Sequence, residues 1–178
     1  GEHTASVTHL VMSSDGTRLL TGASDATSRL WKLSDGTFRT LAFRPVGGAL
    51  RSVSTLANGT ELMTAGVDGP VRFWDIASGA YTQTLTDGRH WATATCTASG
   101  EVVLVNDDGA SVKAWSRSLG RVTKAYSGAT SPMALSPDGL RAASAISVTE
   151  ARIWNIKTGG EQSRLLGHTG AITRFWFS

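Results

Sequence analysis

The sequence has 178 residues, and its 17% charged side chains fall well under the roughly 25% usual for a globular domain. Its net charge of +3 and pI of about 9.4 come from dispersed Lys and Arg, with no basic block longer than two residues, which speaks against a nucleic-acid-binding arm. No apolar run approaches the ~20 residues of a membrane span, and the single Cys96 excludes an intrachain disulfide and a cysteine-based metal site.

In chain order, Val7 to Ser13 predicts a short strand ending in the turn Ser14-Asp15-Gly16. Arg18 to Thr21 follows, then a turn at Ser24-Asp25. Ser28 to Leu33 is the third strand, Ser34-Asp35-Gly36 the third turn, and Thr37 to Leu41 the fourth strand. Asp-Gly and Asn-Gly pairs between short apolar runs are hairpin signals, and no window shows a helical stripe. The unit is therefore an antiparallel four-stranded meander. Gly, Ala, Ser and Thr replace the missing charge, as tightly packed sheets with many turns require.

The same unit recurs. Trp31, Trp74, Trp115 and Trp154 stand at intervals of 43, 41 and 39 residues, and the turn glycines Gly16, Gly59, Gly100 and Gly139 keep the same three intervals. Two independent markers in one register define a repeat. The units span approximately 1–41, 42–85, 86–125 and 126–166, with a partial fifth at 167–178. Phe175-Trp176-Phe177-Ser178 aligns with Leu10-Val11-Met12-Ser13, the first strand. Leu30-Trp31 and Ile153-Trp154 break the alternation of apolar and polar residues, as expected of sheets covered on both faces.

Leu30-Trp31-Lys32, Phe73-Trp74-Asp75 and Ile153-Trp154-Asn155 resemble the Trp-Asp signature of the WD40-repeat β-propeller family. Gly167-His168 resembles the Gly-His that opens such a repeat, and Ser136-Pro137-Asp138-Gly139 its first turn. The resemblance implies an all-β propeller with four complete four-stranded blades and the first strand of a fifth, within a ring of seven. Seven blades need roughly 300 residues, so the sequence reads as part of a longer chain; a dimer of two half-rings is the alternative.

The resemblance also implies a buried hydrogen-bonded set of His, hydroxyl, Asp and Trp, in which each buried polar group finds a partner. His3, Thr21, Asp25 and Trp31 supply all four in the first repeat. Thr64, Asp68 and Trp74 serve the second, with Val46 at the His position. The third keeps Trp115, with Leu104 where the hydroxyl belongs and Asp108 one residue further from the Trp than in the other repeats. The fourth keeps Ser144 and Trp154 but has Val148 in place of Asp, and His168 opens the fifth.

Family position assigns a contact surface to Ser6, Thr8, Ser24, Arg51, Val67, His90 and Asp107, with Arg51 and His90 as the anchors that binding surfaces favour. The implied function is a non-catalytic scaffold for partner proteins or peptides in an intracellular complex, without cofactor or metal. RNA binding through Arg51, Arg89, His90 and Trp91 is one alternative, and a sensor or scaffold domain of a larger signalling enzyme another. No nucleophile elbow, zinc-binding helix or phosphate loop occurs. The His3, Thr21 and Asp25 group, braced by Trp31, reads as structural. Asp107-Asp108 reads as a solvated turn, Cys96 as a packed small side chain, and Asn58-Gly59-Thr60 as a hairpin turn that happens to match a glycosylation sequon.

Overall fold

The computed structural model describes residues 3–13, 15–25, 27–41, 50–56, 59–66, 69–87, 91, 93–106 and 111–177. Sixteen strands occur among them, in four four-stranded antiparallel sheets, each a meander of consecutive strands. The chain forms two compact units, residues 1–94 and 95–178.

The first unit holds β1 (Val7–Met12), β2 (Arg18–Ala23), β3 (Ser28–Lys32) and β4 (Phe38–Leu41), then β5 (Leu50–Thr55), β6 (Glu61–Gly66), β7 (Val71–Asp75) and β8 (Tyr81–Leu85). Gly16 accounts for the first hairpin. Its φ of +69° suits a residue without a Cβ, and its N–H donates to Ser13 C=O at 2.9 Å. Gly59 repeats that geometry at +65°, closing on Leu56 C=O at 3.0 Å.

Cross-strand partners share a face of a sheet. In the second sheet, Thr55, Leu62 and Trp74 lie side by side in one register, as do Val53, Thr64 and Arg72. That face packs on the first sheet: Leu20 and Leu30 meet Leu62, Trp74 and Ile76, with Val53 against the cluster. Each leucine so buried contributes about 1.5–3 kcal/mol. The equivalent face of the first sheet carries Met12, Leu19 and Trp31, together with Leu10 and Thr21. There Leu10 and Met12 stay 64% and 53% exposed, and Trp31 is only half-buried.

The inner strands of these two sheets are joined by side chains instead of a ladder. His9 Nε2 donates to Arg51 C=O at 2.9 Å, and Thr55 Oγ1 to Met12 C=O at 3.2 Å.

The second unit holds β9 (Thr93–Cys96), which begins two residues before its boundary, β10 (Val102–Asn106), β11 (Ser111–Ser116) and β12 (Arg121–Ser127). A further sheet follows: β13 (Thr130–Leu135), β14 (Arg141–Ala145), β15 (Ala151–Asn155) and β16 (Glu161–Leu165). Leu104, Val112, Ala114 and Tyr126 of the one sheet pack on Ala142 and Trp154 of the other, with Met133 and Leu135 against them. The Tyr126 and Trp154 rings meet at 5.3 Å, and burial pushes the Tyr126 hydroxyl up to about 12.

Residues 166–177 contain no strand. The stretch expected to open a fifth sheet is held by a backbone bond from Ile172 N–H to Val148 C=O, at 2.8 Å. A first strand needs the N–H and C=O groups of a second to complete a ladder. No helix among the described residues is long and apolar enough to cross a membrane.

Candidate functional site

Thr21 is the hub of a side-chain network in the first unit. Central on β2 and 6% exposed, it lies two residues from Leu19 and so on the face of Trp31. Its hydroxyl oxygen accepts from Trp31 Nε1–H at 2.8 Å and also lies 2.8 Å from His3 Nε2. The Asp25 carboxylate can only accept, so a ring proton sits on Nδ1, facing Asp25 Oδ2 at 3.2 Å and Thr27 Oγ1 at 3.0 Å.

Asp25 completes the set. Its Oδ1 accepts from Thr27 Oγ1 at 2.6 Å and Thr27 N–H at 2.9 Å, and its Oδ2 from Thr4 N–H at 2.8 Å. Burial pushes this carboxyl upward, but the hydrogen bonds from Thr27, Thr4 and His3 together outweigh burial and hold it well below the ordinary carboxylate range. Thr21 is buried beneath this set, with its oxygen taken by the Trp31 indole N–H. The network ties residues 3 and 4 to the turn at Asp25 and to the centre of the sheet.

The other repeats hold less of it. Trp74 Nε1–H donates to Thr64 Oγ1 at 2.8 Å, and Trp154 Nε1–H to Ser144 Oγ at 2.9 Å. Asp68 and Val46 lie outside the described residues. Val148 is 68% exposed on the turn between β14 and β15. In the third repeat the register corrects the alignment. Thr21, Thr64 and Ser144 pair with Arg29, Arg72 and Arg152, and the residue that pairs with Lys113 in the same way is Val105, not Leu104. Leu104 pairs with Ala114 on the opposite face and belongs to the core of the second unit. Trp115 is buried, and Asp108 lies outside the described residues. His168 is exposed and makes no hydrogen bond with the described residues.

Of the contact positions, Ser6, Thr8, Ser24 and Arg51 are exposed, and the structure gathers them at one end of the first two sheets. Ser24 N–H donates to Ser6 C=O at 2.9 Å, and Thr8 Oγ1 to Gly22 C=O at 3.3 Å. His9, which sequence reasoning did not single out, joins them. Its Nδ1 lies 2.9 Å from Thr8 Oγ1 while its Nε2 holds Arg51 C=O at 2.9 Å. Val67, His90 and Asp107 lie outside the described residues, as do Arg89 and Asp108. Trp91 is 0% exposed, so it is core and presents no ring for a base to stack on, which removes the aromatic of the RNA alternative. Cys96 is a half-buried free thiol on β9.

Two further groups had a sequence signal that went unread. Asp15, Asp25 and Asp35 are each followed two residues later by Thr, and each carboxylate accepts from that Thr's N–H and hydroxyl. Glu101 performs the equivalent task across a hairpin. In the second and fourth repeats the residue after the Trp, Asp75 or Asn155, caps its own turn by accepting from Ser78 or Thr158 N–H. The third repeat has Ser116 there. Glu101 Oε1 instead accepts from Ser116 Oγ at 2.6 Å and Ser118 Oγ at 2.7 Å. Burial raises the Glu101 carboxyl, but these two hydroxyls and the Ser118 N–H outweigh it and hold the group below its ordinary value.

The family described as WD domain, G-beta repeat matches residues 1–32, the stretch that contains His3, Thr21, Asp25 and Trp31. No curated protein matches the chain.

Proposed function

We propose, from the match of residues 1–32 to the WD domain, G-beta repeat family, that the chain is a non-catalytic scaffold, presenting the exposed end of its first two blades to a partner protein or peptide. The family generally mediates protein–protein interaction. The observation that supports this reading is the grouping of exposed Ser6, Thr8, Ser24 and Arg51 on a backbone fixed from beneath by the Ser24–Ser6 and His9–Arg51 bonds. A surface held rigid before binding loses little conformational entropy on docking, and an arginine among small polar residues is the composition of an interface anchor with its rim. Family position adds Val67, His90 and Asp107 to the proposed partner-binding residues, and an intracellular multiprotein complex is the proposed setting.

The test is a comparison of partners. Wild-type chain and the variants Arg51→Glu and Ser24→Arg, each checked for native circular dichroism, are used for quantitative affinity purification. An anchor costs about 2 kcal/mol or more when lost, roughly a thirtyfold drop in affinity. Depletion of the same proteins from both variants supports the reading. Partner sets indistinguishable from wild type reject it.

A further inference from the structure

The outer strand β12 of the second unit differs from the other three outer strands. It has seven residues, against four in β4 and five in β8 and β16. It stands at the edge of its sheet, bonded on one side to β11. Backbone groups of a strand point alternately to its two edges, so the outer edge of β12 displays a row of ladder donors and acceptors. Arg121, Thr123, Ala125 and Ser127 are exposed along it, with nothing bulkier than threonine after Arg121.

Charge then selects what fits. Residues 111–127 contain Lys113, Arg117, Arg121 and Lys124 and no Asp or Glu. Glu101 lies near Arg117 and is engaged with Ser116 and Ser118, so Arg121, exposed, and Lys124, half-buried with its stem running past Gly159, carry the argument. The other outer strands lack this imbalance. On β16, Glu161 pairs with Arg164 at 2.8 Å and with Arg152 at 3.1 Å. On β4, Arg39 is turned onto Ile76 C=O, and β8, Tyr81–Leu85, has no charged residue. A second copy of β12 is a poor occupant, because self-pairing brings two sets of cations to one ladder without a carboxylate between them.

We propose that the outer edge of β12 is a docking site for an extended acidic peptide segment of a partner protein, added as a fifth strand with its carboxylates beside Arg121 and Lys124. Backbone pairing supplies the affinity and charge the selection, as in other strand-addition complexes. The site rests on the scaffold reading and gives it a second surface with a defined partner chemistry. Its test touches none of Ser6, Thr8, Ser24 or Arg51, so failure of one surface is distinguishable from failure of the other.

The probe is a short fluorescein-labelled peptide in which Glu alternates with Val and Thr, titrated with the whole chain and followed by fluorescence anisotropy. Binding is expected, with slowed amide exchange confined to residues 121–127. The Arg121→Glu/Lys124→Glu variant is expected to bind about tenfold or more weakly, and Arg164→Glu as wild type. If the double reversal does not fold, Arg121→Gln/Lys124→Gln takes its place with a smaller loss in the same direction. A peptide methylated at alternate backbone nitrogens, which cannot complete the ladder, is expected to lose binding. The proposal is overturned by absence of binding, by equal binding of a Lys-for-Glu peptide or of the methylated peptide, or by protection elsewhere than β12.

Discussion

Replacing Thr21 with Val tests the network at its hub. Valine keeps the shape of threonine but carries neither proton nor lone pair, so the change removes the acceptor of Trp31 Nε1–H and the partner of His3 Nε2, both at 2.8 Å. A buried polar group left without its partner costs about 1–3 kcal/mol. Trp31 is half-buried and regains part of its loss from water, whereas the His3 side chain is 6% exposed. The sum is therefore about 2–4 kcal/mol. With a urea slope of about 2 kcal/mol per molar, the unfolding midpoint falls by about 1–2 M. Thr21→Ser keeps the hydroxyl and gives up one methyl group, for about 1 kcal/mol. Urea titrations of the three proteins followed by circular dichroism decide the matter. If Thr21→Val unfolds at the wild-type midpoint, or Thr21→Ser is as damaging as Thr21→Val, the hydroxyl does not hold the sheet and the assigned bonds are wrong.

Three further outcomes are expected. Asp25 is held below its ordinary carboxylate value, so its stabilisation is fully present above the unfolded value of about 3.9 and is lost as pH falls from there through its folded value. Asp25→Asn is therefore less stable than wild type at pH 7, and the gap narrows below about pH 4 in pH-dependent urea titrations. Gly16→Ala and Gly139→Ala impose the same backbone strain, at φ of +69° and +70°, of about 1–2 kcal/mol. Only at Gly139 does the new Cβ meet Thr97 Cγ2, at 3.0 Å, so Gly139→Ala has the lower melting temperature, and Thr97→Ser, which removes that methyl, closes most of the difference. Glu101→Ala releases the turn after Trp115, seen as faster amide exchange at Ser118 and Leu119. Ser116→Asp restores protection in that background by supplying the carboxylate that Asp75 provides in the second repeat, and crowds Glu101 in the wild-type background.

Much of the architecture was legible because tryptophan and glycine answer to different physical demands at fixed places. The glycines mark backbone at positive φ, and the tryptophans mark sheet faces against which leucines pack. Side-chain faces were harder to read. A strand alternates with period two, so aligning the third repeat one residue early sent Leu104 to the hydroxyl position, when its side chain lies on the opposite face of the sheet. The Asp-x-Thr turns and Glu101 went unread because their bonds are local or cross one hairpin, and leave no mark on hydrophobic periodicity. His9 offered no signal at all: its role depends on where Arg51 sits in the neighbouring sheet. The strand expected at residues 175–178 depended on alignment with Leu10 to Ser13, and alignment does not supply a bonding partner.

The joins within the first unit bear on how such a chain comes to exist. Among the described residues no backbone ladder runs between its two sheets; the inner strands are linked by single side chains, His9 reaching Arg51 C=O and Thr55 reaching Met12 C=O. Inserting or excising a whole repeat at such a seam therefore breaks no register and exposes no half-formed ladder. Gene duplication can lengthen or shorten an array of this kind in steps of about forty residues, and a join made by single side chains leaves each copy free to differ, as the four repeats do at the positions of His3, Thr21 and Asp25.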